Sequence, residues 1–166
     1  MTVQQARYMA AYNQWMNQKI YKVCDSMTDN DRKDDRGAFF KSIHGSLNHL
    51  LLADKIWMGR FLGKAFSASS LDQELHSDFA ELQKDREETD ETILKWAATL
   101  DEETLAGILH YQSMVNPSPQ QYPLWLAVTH FFNHQTHHRG QITTLLSQNG
   151  LDVGVTDLLW MPAPQS

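Results

Sequence analysis

The chain has a single cysteine, Cys24, in 166 residues. That excludes an internal disulfide and any zinc knuckle built on paired cysteines. No basic pair adjoins Cys24 to lower its pKa, so it reads as a small core or boundary residue and not as a nucleophile. Basic charge is also short: 14 Lys and Arg against 20 Asp and Glu leave a net charge of −6. The basic residues are scattered, which argues against a nucleic-acid surface. No apolar run is long enough to span a membrane, because the most apolar stretch, residues 50–61, is broken by Asp54, Lys55 and Arg60. The residues after Met1, Thr-Val-Gln-Gln-Ala-Arg, do not form a secretion signal. There is no internal repeat and no low-complexity tract. These absences fit a soluble cytoplasmic protein of one domain, residues 1–166, with enough chain to bury a real core.

Histidine is what the chain does have. Four of its eight, His130, His134, His137 and His138, fall in one segment ending at Gln141. Residues three or four apart on a helix lie nearly one above the other. His130/His134, His134/His137 and His134/His138 all satisfy that spacing. Phe131, Phe132, Leu145 and Leu146 flank the cluster, so its helix must bury an apolar side. Imidazole is a common ligand of zinc and similar ions, and four histidines in nine positions favour a metal over ordinary hydrogen-bonded histidines.

Periodicity predicts four long helices. The first covers about 3–26, capped by Thr2, with Ala6, Met9/Ala10, Asn13, Met16, Ile20 and Val23 on one stripe. Asn13 breaks that stripe with an amide expected to bond a neighbouring helix. The stretch Ser26–Arg36 reads as a polar loop. The second helix is expected from Asp34 or Asp35 to about Leu62, with Phe39/Phe40, Ile43, Leu47, Leu50, Asp54, Trp57 and Phe61 in line. His49 and Asp54 lie in its most apolar part, whereas His44 reads as surface or boundary. A carboxylate buried at position 54 needs a partner, either a histidine or water on a metal, or an arginine from another helix. Ser70 and Gln73 suggest a capping box that opens a third helix over 71–99, with Leu75, Phe79, Leu82, Ile93, Trp96 and Leu100 as its seam. Its charged middle, Lys84 to Glu91, reads as a solvated face.

Asp101-Glu102-Glu103 opens a turn, and residues 104–123 read as an irregular connection with a short hairpin around Ile108–Ser113. Pro123 and Asn149-Gly150 bracket a fourth helix over 124–148, and the tail, with Leu158, Leu159 and Trp160, is expected to fold back as a helical turn. Four long helices with one long crossover make an all-α four-helix bundle, a fold that builds metal sites between facing helices. One helix cannot complete a site, and His49 is the best-placed third ligand. Three neutral imidazoles with an open position describe a catalytic type of site.

Three segments carry a resemblance. They are Tyr12-Asn13-Gln14-Trp15-Met16-Asn17, the run Leu47 to Trp57 around His49, and Asn133 to Gln141, which contains His-x-x-x-His-Arg-Gly-Gln. With the tail at Gly154–Leu158, they resemble the DinB/YfiT-like family of metal-binding four-helix bundles, damage-inducible proteins unrelated to the polymerase of that name. The resemblance implies His49, His134 and His138 as metal ligands, with His130 and His137 in the pocket or in packing. It implies one divalent ion, zinc or nickel, and a homodimer. It also implies a thiol-dependent S-transferase or isomerase, in which the metal activates a low-molecular-weight thiol, or water, against a small electrophile. Asp54 and Asn13 are candidates to orient a ligand or substrate. The alternative is a non-catalytic metal-binding stress-response protein.

Overall fold

The computed structural model describes residues 1–113 and 118–162. Asn116 and Pro117 of the irregular stretch, and the last four residues of the tail, lie outside them. The architecture is all-α with one small hairpin. Its elements are α1 (Val3–Asp25), α2 (Asp29–Lys33), α3 (Ile43–Phe61), α4 (Phe79–Thr99), α5 (Glu102–Ala106), β1 (Ile108–Gln112), β2 (Pro119–Pro123), α6 (Leu124–Gln148) and a final 3₁₀ turn, Leu158–Trp160. The long helices α1, α3, α4 and α6 form the bundle. α1 packs on α4 and α6, and α3 packs on the same two.

Local chemistry sets most boundaries. Thr2 and Gln5 form a reciprocal capping box at the start of α1. α6 starts after Pro123 and stops at Asn149, with Gly150 at φ 73°, a left-handed conformation that favours glycine. Three expected boundaries are corrected. The polar stretch 26–36 contains a helical turn, α2, capped by Thr28. α3 begins at Ile43 and not near residue 35, because Ser42 caps it by accepting from the Gly45 N–H. Residues 37–41 form a tight turn, with Gly37 at φ 68° and Lys41 at φ 64°. Gly45 lets that turn pack against the helix, since a Cβ there would run into the Phe40 carbonyl. Phe39 is therefore 87 % exposed and outside the core stripe. α4 begins at Phe79 under an Asp78 cap, and residues 69–78 form an irregular strap. The Ser70/Gln73 box is not a helix start; instead the Ser69 N–H and hydroxyl donate to Gln73 within the strap.

The connection between α4 and α6 is more ordered than expected. It holds α5 and an antiparallel hairpin pairing Ile108 with Pro123 and Gln112 with Pro119. The anticipated hairpin supplies only the first strand. The tail returns to α1, where the Tyr12 hydroxyl donates to the Thr156 carbonyl at 2.6 Å and Lys19 donates to the Val155 carbonyl. Leu158 packs against the core, whereas Leu159 and Trp160 are exposed. Among the described residues, no helix is long and apolar enough to cross a membrane.

The core is in two halves. One holds Met16, Ile20, Leu47, Leu51, Ile142 and Leu146; the other holds Ala6, Ala10, Met58, Ile93, Trp96, Phe131 and Phe132. On each bundle helix a buried polar pair or single residue falls between them: Asn13 and Asn17, Asp54, Arg86 and Asp90, Gln135 and Arg139. Arg86 bridges Asp54 at 2.6 Å and Asp90 at 2.8 Å. Asn13 and Asn17 each donate to Asp90 at 2.9 Å, and Arg139 donates to Asn13. The solvated-face reading of Lys84–Glu91 is thus corrected for Arg86, Thr89 and Asp90, which are buried. Asp54 meets Arg86 across the bundle and Asp90 pairs with it along α4, and paired charges tolerate burial that lone ones do not.

Candidate metal centre

His49 is on α3, in the apolar run that the helix turns toward α6. His134 and His138 are one turn apart on α6. Each of the three offers a ring nitrogen within 4.8 Å of the other two. The His134 and His138 Nε2 atoms are 3.0 Å apart. Two nitrogens ligating one tetrahedral ion at about 2.0–2.1 Å would sit about 3.3 Å apart, so the pair needs little movement to share one.

The outward nitrogens are occupied. His49 Nδ1 lies 2.8 Å from the Leu71 carbonyl, which can only accept, so Nδ1 carries the proton and Nε2 keeps its lone pair. His138 Nδ1 lies 2.8 Å from Gln141 Oε1, which leaves its Nε2 as an acceptor in the same way. Such outward hydrogen bonds fix the tautomer of ligating histidines. Phe40 stacks on the His49 ring at 3.7 Å between centroids, with its edge toward His138. Burial, followed by the neighbouring His138 and His49, pushes His134 down to about 3. Burial also pushes His138 down to about 4, although the Gln141 hydrogen bond opposes it. Burial lowers His49 as well. The rings are therefore neutral near pH 7, the form that binds metal. The donor set, three neutral imidazoles from two helices, fits a divalent ion such as zinc.

In the metal-free protein these shifts make acid destabilising. An unfolded imidazole takes its proton near pH 6.5, at about the reference value, whereas these folded ones wait until about 3 or 4. Between those values the unfolded state holds more protons, so stability falls as pH drops from about 6.5 toward 4. Urea midpoints measured over that range should fall less steeply in His134→Gln than in the wild type. Equal slopes would contradict the account.

A cleft of about 1050 Å³ opens beside the rings, lined by His49, His138, Phe40, Lys41, His44, Asn48, Leu71 and Gln141 among others. Asn13 and Asp54 do not line it. Asn13 is fully buried between Asp90 and Arg139, and Asp54 is 1 % exposed against Arg86. The partner of Asp54 is the arginine and not a histidine. His130 packs on Trp57 at 5.1 Å between centroids, and His137 is exposed beside Gln141, where it lines the cleft without joining the three rings. His44 is corrected from surface to core: it is 3 % exposed and bonded to the His76 carbonyl at 2.9 Å. Sequence reasoning missed Phe40, Gln141 and the Leu71 carbonyl. Gln141 could have been found, because it lies three residues past His138 on the same helix face. A backbone carbonyl such as that of Leu71 leaves no signal in residue type.

A family model described as the DinB family matches residues 1–165. The chain is 28 % identical over 155 residues to a Bacillus subtilis (strain 168) protein described as Protein DinB, covering 88 % of this chain and 87 % of that one. Its fold is similar to the crystal structure of a DinB-like protein from Bacillus cereus ATCC 10987, with a TM-score of 0.59 at 18 % identity, covering 84 % of this chain and 89 % of the other.

Proposed function

The chain belongs to the DinB family, and from that premise we propose that it is a metal-dependent enzyme which activates a low-molecular-weight thiol, or water, for attack on a small electrophile. The observation that carries this reading is the convergence of His49, His134 and His138 from two helices, with His49 and His138 lining a cleft large enough for small reactants. A divalent ion held there would act as a Lewis acid that lowers the pKa of a coordinated thiol or water. The chain's own residues prepare the site in other ways. Leu71 and Gln141 hold two of the rings with their lone pairs inward. Phe40 covers the face of His49 and keeps bulk water from it. Three protein donors leave room for an exogenous one, as catalytic zinc sites do.

The test is turnover by metal-loaded protein, with zinc and with nickel, across several cellular thiols and one generic electrophile, alongside an ester panel. The proposal expects thiol consumption or ester hydrolysis that is lost on chelation and restored by the metal. Tight stoichiometric metal binding without turnover on either panel would favour the non-catalytic reading.

A further inference from the structure

Asn48 precedes His49 on α3, and its side chain is used to the full. Its Oδ1 accepts from the Leu75 N–H at 2.8 Å and the His76 N–H at 3.0 Å. Its Nδ2 donates to the His76 carbonyl at 3.0 Å and to the His44 carbonyl at 3.2 Å. It is 2 % exposed, so losing it would take away the acceptor of the Leu75 and His76 N–H groups, a cost when such groups are out of water. The strap it grips is closed on itself by the bonds from Ser69 to Gln73. That same strap carries the Leu71 carbonyl that accepts the hydrogen bond from His49 Nδ1. One carboxamide thus anchors an irregular segment whose backbone orients the neighbouring imidazole.

We propose that Asn48 is a positioning residue for the metal centre, acting through the 69–76 strap and the Leu71 carbonyl to fix the ring angle and tautomer of His49. This rests on the three-imidazole reading of the site. Neither partner is optional in this arrangement. Leu71 is exposed, so the place of its carbonyl follows from how the strap is held, by Asn48 with its four bonds and further along by Leu75 on the core, His44 on the His76 carbonyl and His76 on Asp85. The grip also explains why an apolar and capping pattern that suits a helix over 71–78 yields none. Asn48 takes the Leu75 and His76 N–H groups that a helix would use.

The experiment titrates full-length protein with Co²⁺ and records affinity and the visible ligand-field spectrum. Wild type that acquires no ligand-field bands would overturn the three-imidazole reading itself, a failure distinct from those below. With wild-type bands present, Asn48→Ala is expected to weaken Co²⁺ binding by about 10–100-fold, the usual cost of losing an outer partner of a ligating histidine, and to shift the bands. Asn17→Ala is the control: it removes an equally buried amide whose partner is Asp90, so it should lower stability and leave the spectrum unchanged. Gln73→Ala loosens the strap without entering the core, and should move the bands in the same direction by less. Should Asn48→Ala fail to fold, Gln73→Ala decides. Wild-type affinity and spectrum in the folded strap variants, or an equal spectral shift in Asn17→Ala, would overturn the proposal.

Discussion

Arg86→Ala is expected to cost about 3–5 kcal/mol of stability, the range for breaking a buried ion pair by removing one partner. Arg86 is 2 % exposed and bridges two carboxylates that are 1 % and 2 % exposed. Without it, Asp54 and Asp90 face each other in an apolar bundle with no cation in direct contact. Burial already pushes Asp90 up to about 6 against the pull of Arg86. It pushes Asp54 up as well, with Arg86 the foremost opposing influence. Removing the guanidinium removes the main force that keeps both ionised. Urea denaturation should show the midpoint falling by more than about 1 M with the slope little changed. Asp54→Asn should cost less, because it keeps the shape and an acceptor for Arg86. A loss within about 1 kcal/mol for Arg86→Ala, the level of an exposed pair, would contradict the buried polar layer.

The second large effect is on metal. His49→Ala should abolish stoichiometric metal under mild chelation, because it leaves two donors on a single helix and removes the bridge between α3 and α6. His137→Ala should bind near normally, since that ring is exposed and turned to Gln141. His130→Ala should too, because His130 packs on Trp57. A site made as a ladder of His130, His134 and His138 on one helix would give the opposite result, with His49→Ala fully loaded. Metal content after gel filtration separates the two arrangements.

Much of this was legible in the sequence where residues punctuate the chain. Pro123 and Asn149-Gly150 bound α6 as expected, and the spacing of His134 and His138 places them on one face. His49 joins them because the run from Leu50 to Met58 is apolar enough to turn that part of α3 inward. What stayed hidden depends on partners far away in sequence. Arg86 and Asp90 look like surface charges until α1 and α3 bring Asn17 and Asp54 to them. Phe39 and Phe40 continue the helical period ahead of α3, while Ser42, which accepts from the Gly45 N–H, is the true cap. Phe40 then covers an imidazole that lies nine positions later, a contact no local pattern encodes. The strap was hidden for the same reason, since its Leu75 and His76 N–H groups bond to Asn48 on α3 and not to a helical turn of their own.

The central claim is that three imidazoles from two helices hold one divalent ion. X-ray absorption at the zinc edge of the loaded wild-type protein tests it most directly. The account predicts one zinc per chain, with imidazole scattering from three rings and nitrogen at about 2.0–2.1 Å. Scattering from two rings or fewer, or a sulfur shell from Cys24, would contradict it.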